Sequence, residues 1–249
     1  IAHLLYNKYG TQFKCPSIAN KTWYHFVGHN WQLSEEGTGL RSLISSEQIV
    51  EEFKAHGMSA MSGFNGMEDK AEYGAKENEI KKTMKMIANL KSAPFKNNVM
   101  RECMEVFYDD KFALNLDQNP FLIGLKNGIY DLKTNTFRDG MPEDYINKCI
   151  PIEYKHYEES HDDIQNIIDF LKKVFPDTSI RNYFLDTYSD IFVGGNSQKK
   201  VYLWTGDGDN GKSITQNFFD KMLGDHAIKF NTQYFTGKKA SSGSANPEL

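Results

Sequence analysis

Apolar residues recur along the chain at two spacings, and each spacing predicts a different kind of element. Residues 23–33, "WYHFVGHNWQL", form two short aromatic runs on either side of a glycine turn, which predicts a β-hairpin. Residues 121–140, "FLIGLKNGIYDLKTNTFRDG", place Asn127 and Gly128 between two alternating runs, the strongest short-range signal for a second hairpin. A further turn near residues 133–135 extends this hairpin to a three-stranded meander.

Four segments carry apolar residues three or four positions apart and are predicted to be helices: 77–90, 94–107, 161–175 and 178–193. Pro94 suits the first turn of the second helix. Thr178 or Ser179 is predicted to cap the fourth helix, which should stop at Gly194–Gly195. Residues 56–76 hold four glycines among methionines and polar residues, and this composition predicts a long loop.

The most informative stretch is residues 201–219, "VYLWTGDGDNGKSITQNFF". Its first residues alternate and predict a buried strand, and its last residues predict a helix. Between them, eight residues match the pattern GxxxxGK[ST] of phosphate-binding loops, in the required order of strand, loop and helix. These residues are Gly206, Asp207, Gly208, Asp209, Asn210, Gly211, Lys212 and Ser213.

Each residue type in this octamer suits the binding of phosphate. Glycines let the backbone N–H groups from Gly208 to Ser213 turn towards an anion, and the following helix starts with its positive end at the same place. Lys212 can reach the β- and γ-phosphates, and Ser213 can offer its hydroxyl to Mg²⁺. Asp207 and Asp209 are expected to turn their side chains outward. The octamer therefore predicts binding of ATP or another nucleoside triphosphate together with Mg²⁺.

Hydrolysis needs more than this loop, namely an acid at the end of a second strand and usually an arginine. The acids after Ser213 are Asp220, Asp225 and Glu248, and none of them follows an apolar strand. The chain begins with Ile1 instead of methionine and ends in "SANPEL", which reads as the start of a helix. We therefore expect a fragment that binds nucleotide weakly at best and does not turn it over.

Composition narrows the class of protein. The chain has 249 residues, of which 39% are hydrophobic and 25% charged, so it can bury a core. A net charge of −4 argues against a basic nucleic-acid-binding protein. Three widely spaced cysteines without a CxxC pair predict neither a disulfide framework nor a zinc site, and favour a reducing, cytoplasmic setting. No apolar run is long enough to span a membrane, so no membrane partner is expected.

Two other functions stay open on the residues alone. A small-molecule kinase uses the same loop, although such kinases usually open with it and here 205 residues precede it. The second open function is that of an assembly module, in which residues 1–157 form a ring collar and the nucleotide is structural. The aromatic side chains of residues 23–33 could stack on single-stranded bases, but packing in a core is the commoner role of such a hairpin.

Several separated motifs resemble one family of proteins. The octamer "GDGDNGKS" is similar to the GxGxNGKS form of the loop in superfamily 3 helicases. Residues 119–154, "NPFLIGLKNGIYDLKTNTFRDGMPEDYINKCIPIEY", resemble the segment before that motor in primase–helicases of poxviruses, other large DNA viruses and satellite phages. The stretches "WYHFVGHNWQL" and "SSGSANPEL" also resemble the large-virus members, so the resemblance covers nearly the whole chain.

The resemblance implies two domains. Residues 1–157 would be an α+β linker domain of helices and β-hairpins, and residues 158–249 would be the first part of an α/β P-loop NTPase of AAA+-like fold. Members of the family form hexameric rings, hydrolyse ATP or other nucleoside triphosphates, and unwind DNA at replication forks. The implied partners are DNA, further copies in a ring and an upstream primase domain in cis, in the host-cell cytoplasm or at a viral replication site.

Overall fold

The computed structural model describes residues 1–62, 70–196 and 199–230, which form a mixed arrangement of helices and two small antiparallel sheets. Helix α1 (Ala2–Tyr9) precedes a sheet of order β1-β2-β3, made by Phe13–Ser17, Thr22–Val27 and Asn30–Ser34. Helices α2 to α6 then follow: Thr38–Leu43, Glu47–Ser62, Lys70–Leu90, Ala93–Val106 and Phe112–Asn115. The second sheet has the order β4-β5-β6, made by Leu122–Leu125, Gly128–Asp131 and Thr136–Arg138. Three helices complete the described chain: α7 (Asp162–Val174), α8 (Thr178–Ser189) and α9 (Lys212–Leu223).

The main core lies between the first sheet and helices α1 to α5. Trp23 of β2 is 1% exposed and packs on Phe107, which follows α5, with ring centroids 5.7 Å apart. Around these two rings the core is completed by apolar side chains of the helices and of β1, among them Leu5, Phe13, Cys15, Leu40, Ile44, Ile49, Leu90 and Cys103. Burial raises the pKa of the Cys103 thiol to about 12, so this cysteine stays protonated.

Both predicted hairpins are confirmed. The first pairs β2 with β3, from Trp23 opposite Ser34 to Val27 opposite Asn30. Trp31, like Trp23, is 1% exposed, so packing in the core is confirmed for these two rings, whereas Tyr24 and Phe26 are half-buried. The second pairs β4 with β5 and β5 with β6, as the Asn-Gly turn and the next turn predict.

Residues 140–150 form hydrogen bonds with β3, the edge strand of the first hairpin. The indole N–H of Trp31 donates to the Pro142 carbonyl at 2.8 Å, and its backbone N–H donates to Ile146 at 2.7 Å. The Asn147 amide donates to the Trp31 carbonyl at 2.8 Å, and the Asn30 amide donates to the Asn147 carbonyl at 3.0 Å. This clasp between β3 and residues 140–150 satisfies polar groups that the edge of the small sheet would otherwise leave open.

Near this clasp, Arg138 and Asp144 form a two-pronged ion pair. The guanidinium donates to the two carboxylate oxygens at 2.6 and 2.8 Å, and the Met141 backbone N–H adds a bond of 2.8 Å. Burial alone would raise the pKa of Asp144, but the hydrogen bonds from Arg138 and Met141 outweigh it and hold the pKa below its usual value.

Two helix predictions need correction. Residues 56–76 were expected to form a loop, yet α3 runs to Ser62 and α4 begins at Lys70, with residues 63–69 outside the described part. Helices α3 and α4 lie against each other, and this contact stabilises helix despite the glycines. The cap of α8 is Asp177 instead of Thr178 or Ser179, because its carboxylate accepts the N–H groups of Ser179 and Ile180 at 2.7 and 3.1 Å.

The region after residue 158 buries few side chains within the described part of the chain. Phe184 and Thr215 are its only residues classed as buried there. Phe184 stacks on Phe175 and Tyr188, each at 4.4 Å, and Tyr188 lies 4.4 Å from Phe219 of α9. This aromatic cluster holds α7, α8 and α9 together. Within residues 1–62, 70–196 and 199–230, no helix has the length and apolar character needed to cross a bilayer.

Candidate nucleotide-binding loop

The segment that leads into the octamer is not a strand, which corrects the prediction for residues 201–205. It has no regular hydrogen-bonded structure, and neither sheet of the described residues includes it. The side chains of this segment nevertheless differ in exposure from one residue to the next. Val201 and Leu203 are each 85% exposed, whereas Trp204 packs at 5.6 Å on Phe184 and 5.4 Å on Tyr188. A strand needs a pairing partner, and alternation within one segment cannot supply it.

The loop itself turns through left-handed backbone positions. Asp209 has φ +57° and Gly211 has φ +82°. Aspartate is among the few non-glycine side chains that tolerate this region, because its short polar group bonds locally. Alternation between right- and left-handed residues turns successive N–H groups to one side, and such concavities bind anions.

Gly211 is the N-cap of α9 and lies against Val174, the last residue of α7. A Cβ at Gly211 would meet the two Val174 methyl carbons at 2.9 and 3.4 Å. The position therefore favours glycine for two reasons, its positive φ and the close approach of α7. The end of α7 thus sets where α9 begins.

Lys212 folds back over the loop. Its ammonium group lies 3.0 Å from the Gly206 carbonyl oxygen, 3.1 Å from that of Asp207 and 2.7 Å from the side-chain oxygen of Asn210. A lysine ammonium has three N–H donors, so three oxygens match its capacity. The positive charge is therefore held over the loop, at the N-terminus of α9.

Ser213 occupies the first turn of α9 and is exposed. The helix behind it is anchored by Thr215, which is fully buried and whose hydroxyl donates to the Gly211 carbonyl at 2.9 Å. The twelve residues of α9 point the positive end of the helix dipole at the loop. Ser213 and the free N–H groups of this turn are thus presented to solvent beside Lys212.

The two acids of the loop stay at the surface. Asp207 and Asp209 are both exposed, in agreement with the expectation that their side chains turn outward. Lys212 meets the backbone carbonyl of Asp207 and not its carboxylate. Neither acid therefore neutralises the lysine, although both add negative charge near the loop.

A cavity of about 620 Å³ opens beside the loop and is lined by Lys212, Ser213, Trp204 and Asp220, among others. Asp220 lies in α9, as expected, and pairs with Lys229 at 2.6 Å. Its carboxylate is thus already engaged by a cation. Burial, with a smaller contribution from Asp220, raises the pKa of Tyr188 on the same wall.

The structure thus places six of the eight predicted residues in the loop and Lys212 and Ser213 in the first turn of α9, and it adds two contacts that the motif did not predict. One is Val174 against Gly211, and the other is the side-chain contact of Asn210 with Lys212. The apolar stripe of residues 161–175 predicted that α7 packs on a neighbour, but no local signal identified that neighbour. The remaining acids, Asp225 and Glu248, lie after α9 and outside the described residues, respectively.

Comparison with known families settles the relationship that the motifs suggest. A family model described as "D5 N terminal like" matches residues 2–176, more than half of the chain. The chain belongs to this D5 N-terminal-like family. The match ends near the start of α8, so the octamer lies beyond it.

Relatives of this D5 N-terminal-like chain come from large DNA viruses. "Putative helicase L207/L206" of Acanthamoeba polyphaga mimivirus is 39% identical over 249 residues, 100% of this chain and 26% of the relative. "Putative helicase 022R" of Frog virus 3 is 32% identical, over 100% of this chain and 35% of the relative. "Putative primase C962R" of African swine fever virus (isolate Tick/Malawi/Lil 20-1/1983) is 26% identical, over 68% of this chain and 18% of the relative. The chain therefore spans about a quarter to a third of the length of the first two relatives, whose alignments include the octamer.

Proposed function

We propose that residues 206–213 bind the phosphates of ATP or another nucleoside triphosphate with Mg²⁺. The observation that carries this proposal is the position of Lys212, whose ammonium is held over the loop at the N-terminus of α9. A cation, exposed helix N–H groups and left-handed loop residues at one place form a site for an anion. Ser213 would hold Mg²⁺ through its hydroxyl.

The broader role rests on the family and on the names of the relatives. The chain would supply the linker domain, residues 1–157, and the phosphate-binding loop of a replicative DNA helicase–primase. In that protein, NTP hydrolysis in a hexameric ring would drive the unwinding of DNA, with a primase domain in cis. The site of action would be the host-cell cytoplasm or a viral replication site.

Binding of fluorescent MgATP by the 249-residue chain tests the first part. We expect weak but saturable binding that Lys212→Ala weakens at least tenfold, because the substitution removes the only cation that the loop contains. Lys221→Ala is the matched control, since Lys221 is exposed in the last turn of the same helix and should leave affinity unchanged. Ser213→Ala should weaken binding in the presence of Mg²⁺ more than in its absence.

Equal binding by the native chain and by Lys212→Ala would contradict the proposal. The motor role needs a second measurement, on a protein of the length of the relatives. Hydrolysis that single-stranded DNA stimulates and Lys212→Ala abolishes would support a motor. Hydrolysis indifferent to DNA would favour a kinase, and an absence of hydrolysis would favour an assembly module.

A further inference from the structure

The side chain of Asn210 supplies one of the three oxygens around Lys212. Its contact, 2.7 Å, is the shortest of the three. The other two oxygens belong to the backbone, at Gly206 and Asp207, and are fixed by the path of the loop. Asn210 is therefore the loop side chain on which the position of the lysine ammonium depends.

The same amide also contacts the opposite end of the loop. At Gly206, the space that a Cβ would occupy is taken by the Asn210 side-chain nitrogen. Asn210 thus bridges Gly206, where the loop begins, and Lys212, where α9 begins. A neutral amide does this without cancelling the charge of Lys212, whereas a carboxylate at the same place would pair with it.

We propose that the Asn210 side chain is a positioning residue that holds the Lys212 ammonium over the loop in a form still able to attract phosphate. This inference rests on the proposed nucleotide-binding function and assigns a task to the side chain, beyond the backbone N–H that the motif predicts. Lysine has a flexible four-carbon side chain, so without this contact only the two backbone oxygens would hold its ammonium, which would then sample a wider range of positions. The neutral amide keeps the lysine in place and leaves its charge available.

Two substitutions separate this task from a merely structural hydrogen bond. Asn210→Ala removes the contact and should weaken binding of MgATP about tenfold, which corresponds to about 1.4 kcal/mol. Asn210→Asp keeps an acceptor and adds charge, so the chain should be at least as stable to heat as Asn210→Ala. It should nevertheless bind MgATP at least fivefold more weakly than Asn210→Ala, because the carboxylate neutralises Lys212 and repels phosphate.

The experiment measures binding of MgATP and of pyrophosphate to the 249-residue chain, and the thermal unfolding of each variant. Pyrophosphate has no base, so the fold-loss in Asn210→Ala should be the same for both probes. Asn217→Ala is the matched control, since Asn217 is an exposed asparagine of α9, outside residues 206–213, whose side-chain oxygen also accepts from a lysine ammonium, that of Lys229 at 3.3 Å. This control should bind as well as the native chain.

Each outcome decides between the two proposals. If Asn210→Ala binds with native affinity while Lys212→Ala loses binding, the positioning role of Asn210 is overturned and the proposed nucleotide-binding function stands. Binding by Asn210→Asp equal to or tighter than that of Asn210→Ala would also overturn it, since an acceptor would then suffice. If the native chain binds neither probe, the proposed function fails and this inference fails with it.

Discussion

Replacing Gly211 with alanine introduces two costs that the structure lets us separate. A left-handed backbone costs a non-glycine residue roughly 1–2 kcal/mol. The new Cβ would also lie 2.9 and 3.4 Å from the methyl carbons of Val174, a stiff β-branched side chain, and such overpacking costs about 1–3 kcal/mol. We therefore expect Gly211→Ala to destabilise the start of α9 by roughly 2–5 kcal/mol.

Hydrogen exchange of the Thr215 amide is a local assay for this cost. That N–H bonds to the Gly211 carbonyl at 3.0 Å, so it reports directly on the first turn of α9. In a double-mutant cycle, Val174→Ala should recover the steric part of the cost and leave the backbone part. Unchanged exchange in Gly211→Ala would refute the reasoning, and full recovery in the double variant would refute the backbone part.

Two further predictions concern the part of the chain before residue 158. Trp31→Phe replaces the buried indole by a smaller phenyl ring and leaves the Pro142 carbonyl without its indole donor, and should cost roughly 2–3 kcal/mol in urea unfolding. Leu33→Ala, at a side chain 66% exposed on the same strand, should cost almost nothing, and equal losses would contradict the burial argument. Because Arg138 holds the pKa of Asp144 below its usual value, the stability from this pair is present above the unfolded pKa of about 3.9 and is lost as the pH falls through the folded pKa. The unfolding free energies of the native chain and Asp144→Asn should therefore differ at pH 7 and converge once the pH has fallen below the folded pKa of Asp144, and a difference that does not change with pH would exclude this mechanism.

The elements that could be predicted from the sequence are those whose signal is local. An Asn-Gly turn between alternating runs needs no distant partner to make a hairpin, and the second sheet forms where this pattern places it. The octamer is similarly local, because left-handed residues and a helix start bring its groups together. Residues 56–62, 70–76 and 201–205 were predicted wrongly because their state depends on partners elsewhere. Contact between α3 and α4 favours helix in the first two segments, and the third has no strand beside it in the described chain.

Within the candidate site, too, the sequence could not predict features that depend on contacts between side chains or between distant elements. The motif predicts that Lys212 reaches phosphate, but it does not tell where the side chain rests when no phosphate is present. That position depends on the conformation of the loop and on the Asn210 amide. The contact of Val174 with Gly211 joins elements that are far apart in the sequence, so it became evident only from the packing of α7.

The clasp between β3 and residues 140–150 also has a consequence for synthesis on the ribosome. Its side-chain hydrogen bonds join residues 111 to 117 positions apart. At about 5–20 residues per second, the nascent first hairpin would wait roughly 6–23 seconds for these partners to emerge. During that interval the indole of Trp31 and the edge of β3 would stay uncovered, and a chaperone or a neighbouring nascent chain could reach them. Productive folding of residues 1–157 therefore depends on how long the first hairpin remains open, as well as on the final stability of this region.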